Sequence, residues 1–275
     1  MRRSRDGCAA ARSSAILAGV ASMSPPVLHQ FRFSHYNEKV RWVLDHKRVG
    51  HRRRSYLPGM HILPMLRLSG QKQVPVWFAD GRAIAGSAAI IDHLEREYPD
   101  PPLLPADPAE RARALEVQRF FDDEVGAPLR AAAFAEWLGD GAYMTALFTG
   151  HTGALTRGVY RASFPLLRAA LRADMQLTPE RAAQGLARGQ EAFDFVAANA
   201  GPRGYLVGDR FTIADLAAAA ILSPAVLPPE FPYPVPQPLS PTFRGFIDRW
   251  AAHPGAAWVR DMYRRHRDPS AEVVG

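Results

Sequence analysis

A cluster of prolines divides this sequence into two parts whose hydrophobic patterns differ. Pro99, Pro101, Pro102 and Pro105 stand close together, and proline ends helices and strands because it has no N–H group to donate. Before the cluster, short apolar runs alternate with one-sided helical patterns, whereas the segments after Asp107 have helical periodicity. The change of pattern predicts a small mixed α/β unit, a linker and an all-helical unit.

The part before the prolines alternates strand and helix patterns. VLHQFRF predicts a strand from Val27, and the apolar residues from Tyr36 onward recur with helical spacing. HRRRSYL predicts a second strand, whose charge favours the edge of a sheet. Two more strand runs flank Asp80-Gly81, a dipeptide typical of two-residue hairpins, and SAAIIDHLEREY predicts a helix. The predicted order is β-α-β, an irregular or helical segment, then β-β-α.

The part after the prolines predicts helices. One long helix or two begin at Ala114, and further helices follow in FPLLRAALRADM, PERAAQGLARGQEAFDFVAANA and FTIADLAAAAILS. Thr212 should cap the last of these, which is apolar nearly all round and should be buried centrally. LPPEFPYPVPQPLSP predicts an extended surface connector rather than a ligand for a proline-binding domain. A final helix ends near Arg267.

Composition restricts the partners and the compartment. The formal net charge is +7, but the arginine clusters lack interleaved aromatic residues, so we predict no nucleic-acid binding. No apolar run is long enough to span a bilayer. Cys8 is the single cysteine, so neither an intrachain disulfide nor a cysteine-based metal site can form, and we expect a cytoplasmic protein.

The first 25 residues are rich in Arg, Ser and Ala and contain a single acid. They predict a disordered or artefactual extension before the folded chain, with a cleavable targeting segment as the alternative. The predicted units are therefore the tail at 1–25, an α/β domain at 26–99, a linker at 100–107 and a helical domain at 108–268. We expect removal of residues 1–24 to leave folding and activity unchanged.

Three motifs in this order resemble the glutathione S-transferase superfamily. They are S-x-Y-x-x-K-V-R at 34–41, Q-V-P at 73–75 with G-S at 86–87, and F-T-I-A-D-L at 211–216. The resemblance implies an α/β thioredoxin-like N-terminal domain plus an all-α helical C-terminal domain. It also implies a serine-type, bacterial-style glutathione transferase that uses glutathione as co-substrate, needs no metal and forms a homodimer.

The resemblance also implies how glutathione is held. A cis Val74–Pro75 bond would let the Val74 main chain pair with the cysteinyl unit of the tripeptide. Ser87 is by its type a helix N-cap, and in the family this serine and its N–H group hold the γ-glutamyl carboxylate at a helix N-terminus. Candidates for the glycyl end are His61, Lys72 and Gln73.

One position departs from the family pattern. Gly86 stands where the family has an acid that holds the glutathione ammonium group. Either glutathione binds weakly here, and Gly86→Glu would increase its affinity, or another acid holds the ammonium group. Asp122, Asp123 and Glu124 could reach this place from a partner subunit, although a solvated helix face is the plainer interpretation of these acids.

The corner at Ser34 points to the reaction type. Gln30 occupies the position of the catalytic residue in tyrosine-type members, and neither Ser34 nor Asn37 is the cysteine of glutaredoxin-like members. The resemblance then implies that Ser34 donates to the glutathione sulfur, although a capping role alone would also explain it. Tyr36 is the second hydroxyl candidate, and its spacing suggests packing.

These features together predict an enzyme that stabilises the glutathione thiolate and promotes its attack on a small hydrophobic electrophile. We expect the electrophile pocket between the domains, with Phe120 and Phe121 as candidate wall residues, although core packing is the expected role of at least one of them. Two alternatives share the same motifs: a non-catalytic binding or interaction protein, and a glutathione-dependent isomerase or dehalogenase.

Overall fold

The N-terminal part contains one mixed sheet in the computed structural model, which describes residues 25–273. Residues 1–24 of the predicted tail lie outside the described residues. The sheet order is β2-β1-β3-β4, with β1 parallel to β2 and antiparallel to β3, and with β3 and β4 joined as the predicted hairpin. The strands are β1 Val27–Gln30, β2 Arg52–Ser55, β3 Val76–Ala79 and β4 Arg82–Ala85.

Three helices accompany the sheet, and the rest of the described chain is helical. The helices of the N-terminal domain are α1 His35–His46, α2 Ile62–Ser69 and α3 Ser87–Glu97. Those of the C-terminal domain are α4 Pro108–Arg119, α5 Ala127–Trp137, α6 Gly141–Thr149, α7 Ala154–Asp174, α8 Pro179–Asn199, α9 Ile213–Leu222, α10 Pro241–Asp248 and α11 Pro254–His266. The predicted fold class is confirmed, while the domain boundaries stay a prediction.

Helix α9 is the centre of the helical domain. Each of its residues is buried, and it contacts α1, α4 and α11. The Thr212 side chain accepts a hydrogen bond from Ala214 N, and the Asp215 carboxylate accepts one from Thr212 N at 2.9 Å. This is the predicted capping box, which satisfies N–H groups that a buried helix end would otherwise leave unpaired.

Helix α1 is buried although it carries several charged side chains, because these side chains form ion pairs. The Lys39 ammonium meets Asp122 of the segment between α4 and α5 at 2.5 Å. Arg267, after α11, donates to Glu38 at 2.7 Å and reaches Asp45 at 2.9 Å. Because a buried charge without a partner is costly, these pairs bind α1 to the helical domain.

The C-terminal residues cover an edge of the sheet. Strand β2 is at the edge, as its charge predicted, and the chain returns beside it after α11. Val273 N donates to His51 O at 2.7 Å, and Ala271 N donates to Asp45 Oδ1 at 2.8 Å. An edge covered in this way offers fewer unpaired groups to another chain.

The proline-rich connector before α10 differs from its prediction. It is irregular, as expected, but it is partly buried rather than lying on the surface. Phe231 stacks on Phe33 with ring centroids 6.3 Å apart, and the Tyr233 hydroxyl accepts a hydrogen bond from Gln30 Nε2 at 2.6 Å. The aromatic residues between the prolines supply this packing, so the connector lies against the turn between β1 and α1.

We expect Gly185→Ala to destabilise the fold. Gly185 lies where α8 packs along α5, and a Cβ there would overlap the Pro128 carbonyl oxygen and come within 2.8 Å of the Ala132 Cβ. Overpacking of this kind costs about 1–3 kcal/mol. Gly245 in α10 is the matched control, because a Cβ there meets nothing within 4 Å and alanine should stabilise its helix by about 0.5–1 kcal/mol. Urea unfolding of both variants measures the difference, and equal shifts would contradict this packing.

Candidate active site

A cavity of about 690 Å³ lies between the two domains. Its walls are the turn between β1 and α1, the residues around α2, and parts of α5 and α7. Six of the residues that the sequence singled out line it: Ser34, Tyr36, His61, Lys72, Gln73 and Val74. Pro75, Gly86 and Ser87 are not among its lining residues.

Ser34 is the N-cap of α1. Its backbone is extended, and its hydroxyl oxygen accepts a hydrogen bond from Asn37 N at 3.4 Å. Among residues 25–273 the hydroxyl hydrogen has no acceptor, and Ser34 lines the cavity. A hydroxyl group can accept and donate at the same time. The capping role and a donor role toward the cavity are therefore compatible.

Tyr36 has a different environment. Its hydroxyl donates to the Asp122 carbonyl oxygen at 2.7 Å, and a Cβ on Gly126 would overlap that hydroxyl. Burial raises the pKa of Tyr36 to about 12, against the smaller lowering effect of Arg130. Tyr36 thus joins α1 to the helical domain, and this geometry disfavours it as the donor to a ligand.

The corner before β3 has the predicted backbone. The Val74–Pro75 peptide bond is cis, and the Pro75 carbonyl accepts from Gly86 N at 3.0 Å. Within the described chain, the Val74 main chain makes no hydrogen bond outside regular elements, and Val74 lines the cavity. A backbone N–H and C=O without partners beside a cavity can pair with a peptide ligand.

The start of α3 corrects one prediction. Gly86, not Ser87, is the N-cap, and Ser87 is the first helical residue. Gly86 has φ 91° and ψ 138°, a region that is costly for other residues by about 1–3 kcal/mol. Any side chain at position 86 would strain the backbone. The tighter glutathione binding expected of Gly86→Glu is therefore opposed by a loss of folding stability, which the sequence alone did not show.

The three acids proposed to fill the gap at Gly86 differ in availability. Asp122 accepts from the Lys39 ammonium through both carboxylate oxygens at 2.5 Å. It is therefore occupied within its own chain and not free for a partner subunit. Asp123 and Glu124 are exposed, and Glu124 lies 3.7 Å from Arg188.

Phe120 and Phe121 pack within the helical domain, as expected of at least one of them, and their candidate contribution to the cavity wall is not found among residues 25–273. They belong to a π-helical segment, Phe120–Gly126, and in the described chain neither lines the cavity. Phe121 is fully buried, and both rings pack against Phe195 of α8. The wall on this side comes one helix later, from Phe134 and Trp137 of α5.

The candidates for the glycyl end of glutathione lie together at the rim. The Lys72 ammonium meets Asp174 of α7 at 2.6 Å. His61 packs edge-on against Phe31 with centroids 4.6 Å apart, and burial lowers its pKa. Gln73 is exposed. His61 is thus a neutral polar group at neutral pH, and Lys72 already has an anionic partner.

Two arginines in the cavity wall were not predicted. Arg130 of α5 and Arg32 of the turn after β1 both line the cavity, and neither has an acidic partner among residues 25–273. Burial, together with Arg32, lowers the pKa of His151, so this neighbour in the cavity wall is uncharged. Arg130 is itself exposed at the cavity, and only the tertiary structure distinguishes this pair from arginines on other solvated faces.

Arg41, in the first motif, holds the turn that carries Ser34. Its buried guanidinium donates to the Phe31 and Arg32 carbonyl oxygens, each at 3.1 Å, and to Gln30 Oε1 at 2.7 Å. It also pairs with Glu38 at 2.7 Å. The motif thus contains a residue that positions the turn as well as one that faces the cavity.

Two properties of the described residues concern membranes and metal ions. No helix within 25–273 is long and apolar enough to cross a membrane. The same stretch contains no group of three or more His, Cys, Asp or Glu side chains placed to hold a metal ion.

Sequence comparisons match both parts of the chain. The family model described as glutathione S-transferase, N-terminal domain, matches residues 28–102, and the one described as glutathione S-transferase, C-terminal domain, matches 179–257. A Caenorhabditis elegans protein named probable maleylacetoacetate isomerase is 35% identical over 98 residues, which are 35% of this chain and 46% of that protein. The chain spans about half the length of the curated relatives it matches.

Solved structures share the fold along nearly the whole chain. A glutathione S-transferase from Rhodospirillum rubrum F11 matches with a TM-score of 0.60 at 22% identity, covering 90% of this chain and 89% of that one. A glutathione S-transferase from Methylobacillus flagellatus, solved with glutathione bound, has a TM-score of 0.57 at 16% identity, covering 89% and 100%. With both family models matched in order, the chain belongs to the glutathione S-transferase superfamily.

Proposed function

We propose that this protein is a serine-type glutathione transferase. Glutathione lies along Val74 with its sulfur toward Ser34, and the thiolate attacks a small hydrophobic electrophile in the cavity between the domains. The observation that carries the proposal is the Ser34 hydroxyl. Its oxygen accepts a hydrogen bond from Asn37 N of the helix, so its hydrogen remains available to a ligand in the cavity.

The hydrogen bond from Ser34 and the N-terminus of α1 can together lower the pKa of the glutathione thiol without a general base. A free thiol of this kind has a pKa of about 8.5, and lowering it by two units requires about 2.7 kcal/mol. A hydrogen bond to a charged acceptor contributes about 1.5–3 kcal/mol, and the N-terminus of α1 adds about 0.3–1 kcal/mol. The thiol proton leaves to solvent, the sulfur forms the new bond to carbon, and the electrophile's leaving group departs or its double bond takes up a proton.

The rest of the tripeptide follows the wall of the N-terminal domain. The Val74 main chain would pair with the cysteinyl unit, with Pro75 holding the corner. Ser87 and the free N–H groups at the start of α3 would hold the γ-glutamyl carboxylate, with Gly86 leaving the backbone close to the ligand. The glycyl end would lie at the rim, where His61, Lys72 and Gln73 line the cavity.

The assembly and setting are part of the same proposal. We place the enzyme in the cytoplasm as a homodimer that modifies electrophiles for detoxification. A partner would cover exposed apolar side chains, of which Leu155 and Leu166 of α7 are the most exposed among the described residues. From that partner, Asp123 or Glu124 could supply the acid missing at Gly86.

A glutathione-dependent isomerase is the second candidate function. It would use the same thiolate, which adds to a double bond, allows rotation and then leaves with glutathione regenerated. The named relative from Caenorhabditis elegans favours this alternative. Release of unmodified glutathione, rather than a stable conjugate, distinguishes the two reactions.

Binding and turnover test the proposal in one series. We expect calorimetry to detect glutathione binding, and a panel of electrophiles to yield conjugates or isomers by mass spectrometry. S-methylglutathione is the matched ligand, because it fills the same site but has no thiol to ionise. Binding of glutathione without any product would favour the non-catalytic alternative, and absence of binding by the folded protein would contradict the proposal.

A further inference from the structure

We propose that the electrophile of this protein carries a carboxylate on an aromatic ring, bound by Arg130 while the ring lies against the aromatic wall of the helical domain. This inference rests on the proposed function, because it names the substrate class of the same site. Its first support is charge. Arg130 and Arg32 line the cavity without an acidic partner among the described residues.

Glutathione leaves Arg130 available. Its γ-glutamyl carboxylate is assigned to the start of α3, and its glycyl end to the rim at His61, Lys72 and Gln73. Both places belong to the N-terminal domain, whereas Arg130 is on α5, across the cavity. Arg130 is close enough to His35 and Tyr36 to lower the pKa of both groups. Gly126, about one helical turn before Arg130, lies against the same two side chains, so Arg130 lies near the N-terminus of α1, which Ser34 caps.

The aromatic wall beside Arg130 favours a flat apolar group in the ligand. Phe134 and Trp137 of α5 and Phe148 of α6 line the cavity, and Phe134 stacks on Phe148 with centroids 6.5 Å apart. A small apolar recess of about 40 Å³ continues from this wall beside Ser34 and His35. Aromatic rings in such a site favour offset or edge-on contact with a ring of the ligand.

This side of the cavity lies outside the residues that the family models match. Arg130 and the three aromatic residues all lie between residues 103 and 178, which neither family model matches. Arginine binds a carboxylate through two parallel N–H···O bonds, which fixes direction as well as adding affinity. A carboxylate on the ring would thus be bound by Arg130, and this contact would orient the reactive carbon toward the sulfur.

A chlorodinitrobenzoate and its methyl ester form a suitable substrate pair. In both, the thiolate sulfur bonds to the ring carbon that carries chlorine and chloride leaves, but only the first has a carboxylate. We expect kcat/KM, divided by the uncatalysed rate, to be at least about tenfold higher for the acid, the lower end for a charge-assisted hydrogen bond. Arg130→Gln should remove that preference by raising KM for the acid, so that acid and ester are turned over with similar efficiency, while Arg130→Lys should keep part of it.

The controls separate this inference from the proposed function. Arg119→Gln, an exposed arginine of α4 outside the cavity lining, changes the net charge equally and should keep the preference. Calorimetry with dinitrobenzoate, which lacks the chlorine, measures binding without any reaction. Preferential binding of this acid that depends on Arg130 supports the inference even if no conjugate forms. Turnover with equal efficiency for acid and ester, or equal losses for both in Arg130→Gln, would overturn it and leave the transferase proposal intact.

Discussion

Replacing Arg41 by methionine is expected to destabilise the protein by about 3–5 kcal/mol, the range for breaking a buried ion pair from one side. The Arg41 guanidinium is fully buried and pairs with Glu38, which is also buried. It is also the donor to the Phe31 and Arg32 carbonyl oxygens. Methionine would fill the volume but leave these acceptors without their donor. Of the two arginines that pair with Glu38 in the described chain, Arg267 alone would remain.

Urea unfolding measures this loss, and two other variants calibrate it. Arg41→Lys keeps the charge but cannot form the fork of hydrogen bonds, so its loss should be intermediate. Arg113→Met removes an exposed arginine that pairs with Glu116 at 2.8 Å, and surface pairs of this kind contribute about 0–1 kcal/mol. Equal losses for Arg41→Met and Arg113→Met would contradict the role given to Arg41.

Replacing Ser34 by alanine is expected to reduce turnover at least about threefold at neutral pH. A rise of the bound thiol's pKa by one unit, from about 6.5 to about 7.5, lowers the thiolate fraction at pH 7 from about three quarters to about one quarter. Glutathione affinity should change only a few-fold, because the hydrogen bond is made mainly to the charged form. A large rise in KM with unchanged kcat would instead assign Ser34 to binding.

Much of the fold was predictable because its signals are local. The hairpin at Asp80-Gly81, the cap at Thr212 and the edge position of the arginine-rich strand each follow from neighbouring residues, and each is confirmed. The order of the three motifs identified the superfamily, although no single motif was specific. The cis bond at Val74–Pro75 came from the resemblance rather than from base rates, and it is present.

The errors share one physical origin, which is tertiary contact. Phe120 and Phe121 were candidates for the pocket wall as well as for the core, and the π-helical segment places both rings against α8. Ser87 had the right type for a cap, but the φ of Gly86 places the cap one residue earlier. Arg130 gave no signal at all, because an arginine in a helix is usually solvated. Its significance depends on the cavity that α5, α6 and α7 form around it.

The hydroxyl of Ser34 is best tested against a serine that caps another helix. Ser240 is the N-cap of α10, and its oxygen accepts from Phe243 N at 3.4 Å, the same distance as in the pair of Ser34 with Asn37 N. Ser240 does not line the cavity. Alanine at either position removes a cap worth about 1 kcal/mol, so only Ser34→Ala should also affect the thiol.

The ultraviolet absorbance of the bound glutathione thiolate, followed across pH, tests the central claim most directly. The titration would be run on the unmodified protein, Ser34→Ala and Ser240→Ala, each saturated with glutathione. A shift of the bound thiol's pKa upward by at least about one unit in Ser34→Ala alone is the result we predict, as a lost charge-assisted hydrogen bond of about 1.5–3 kcal/mol requires. Superimposable titration curves for all three proteins would contradict the assignment of Ser34 as the group that stabilises the thiolate.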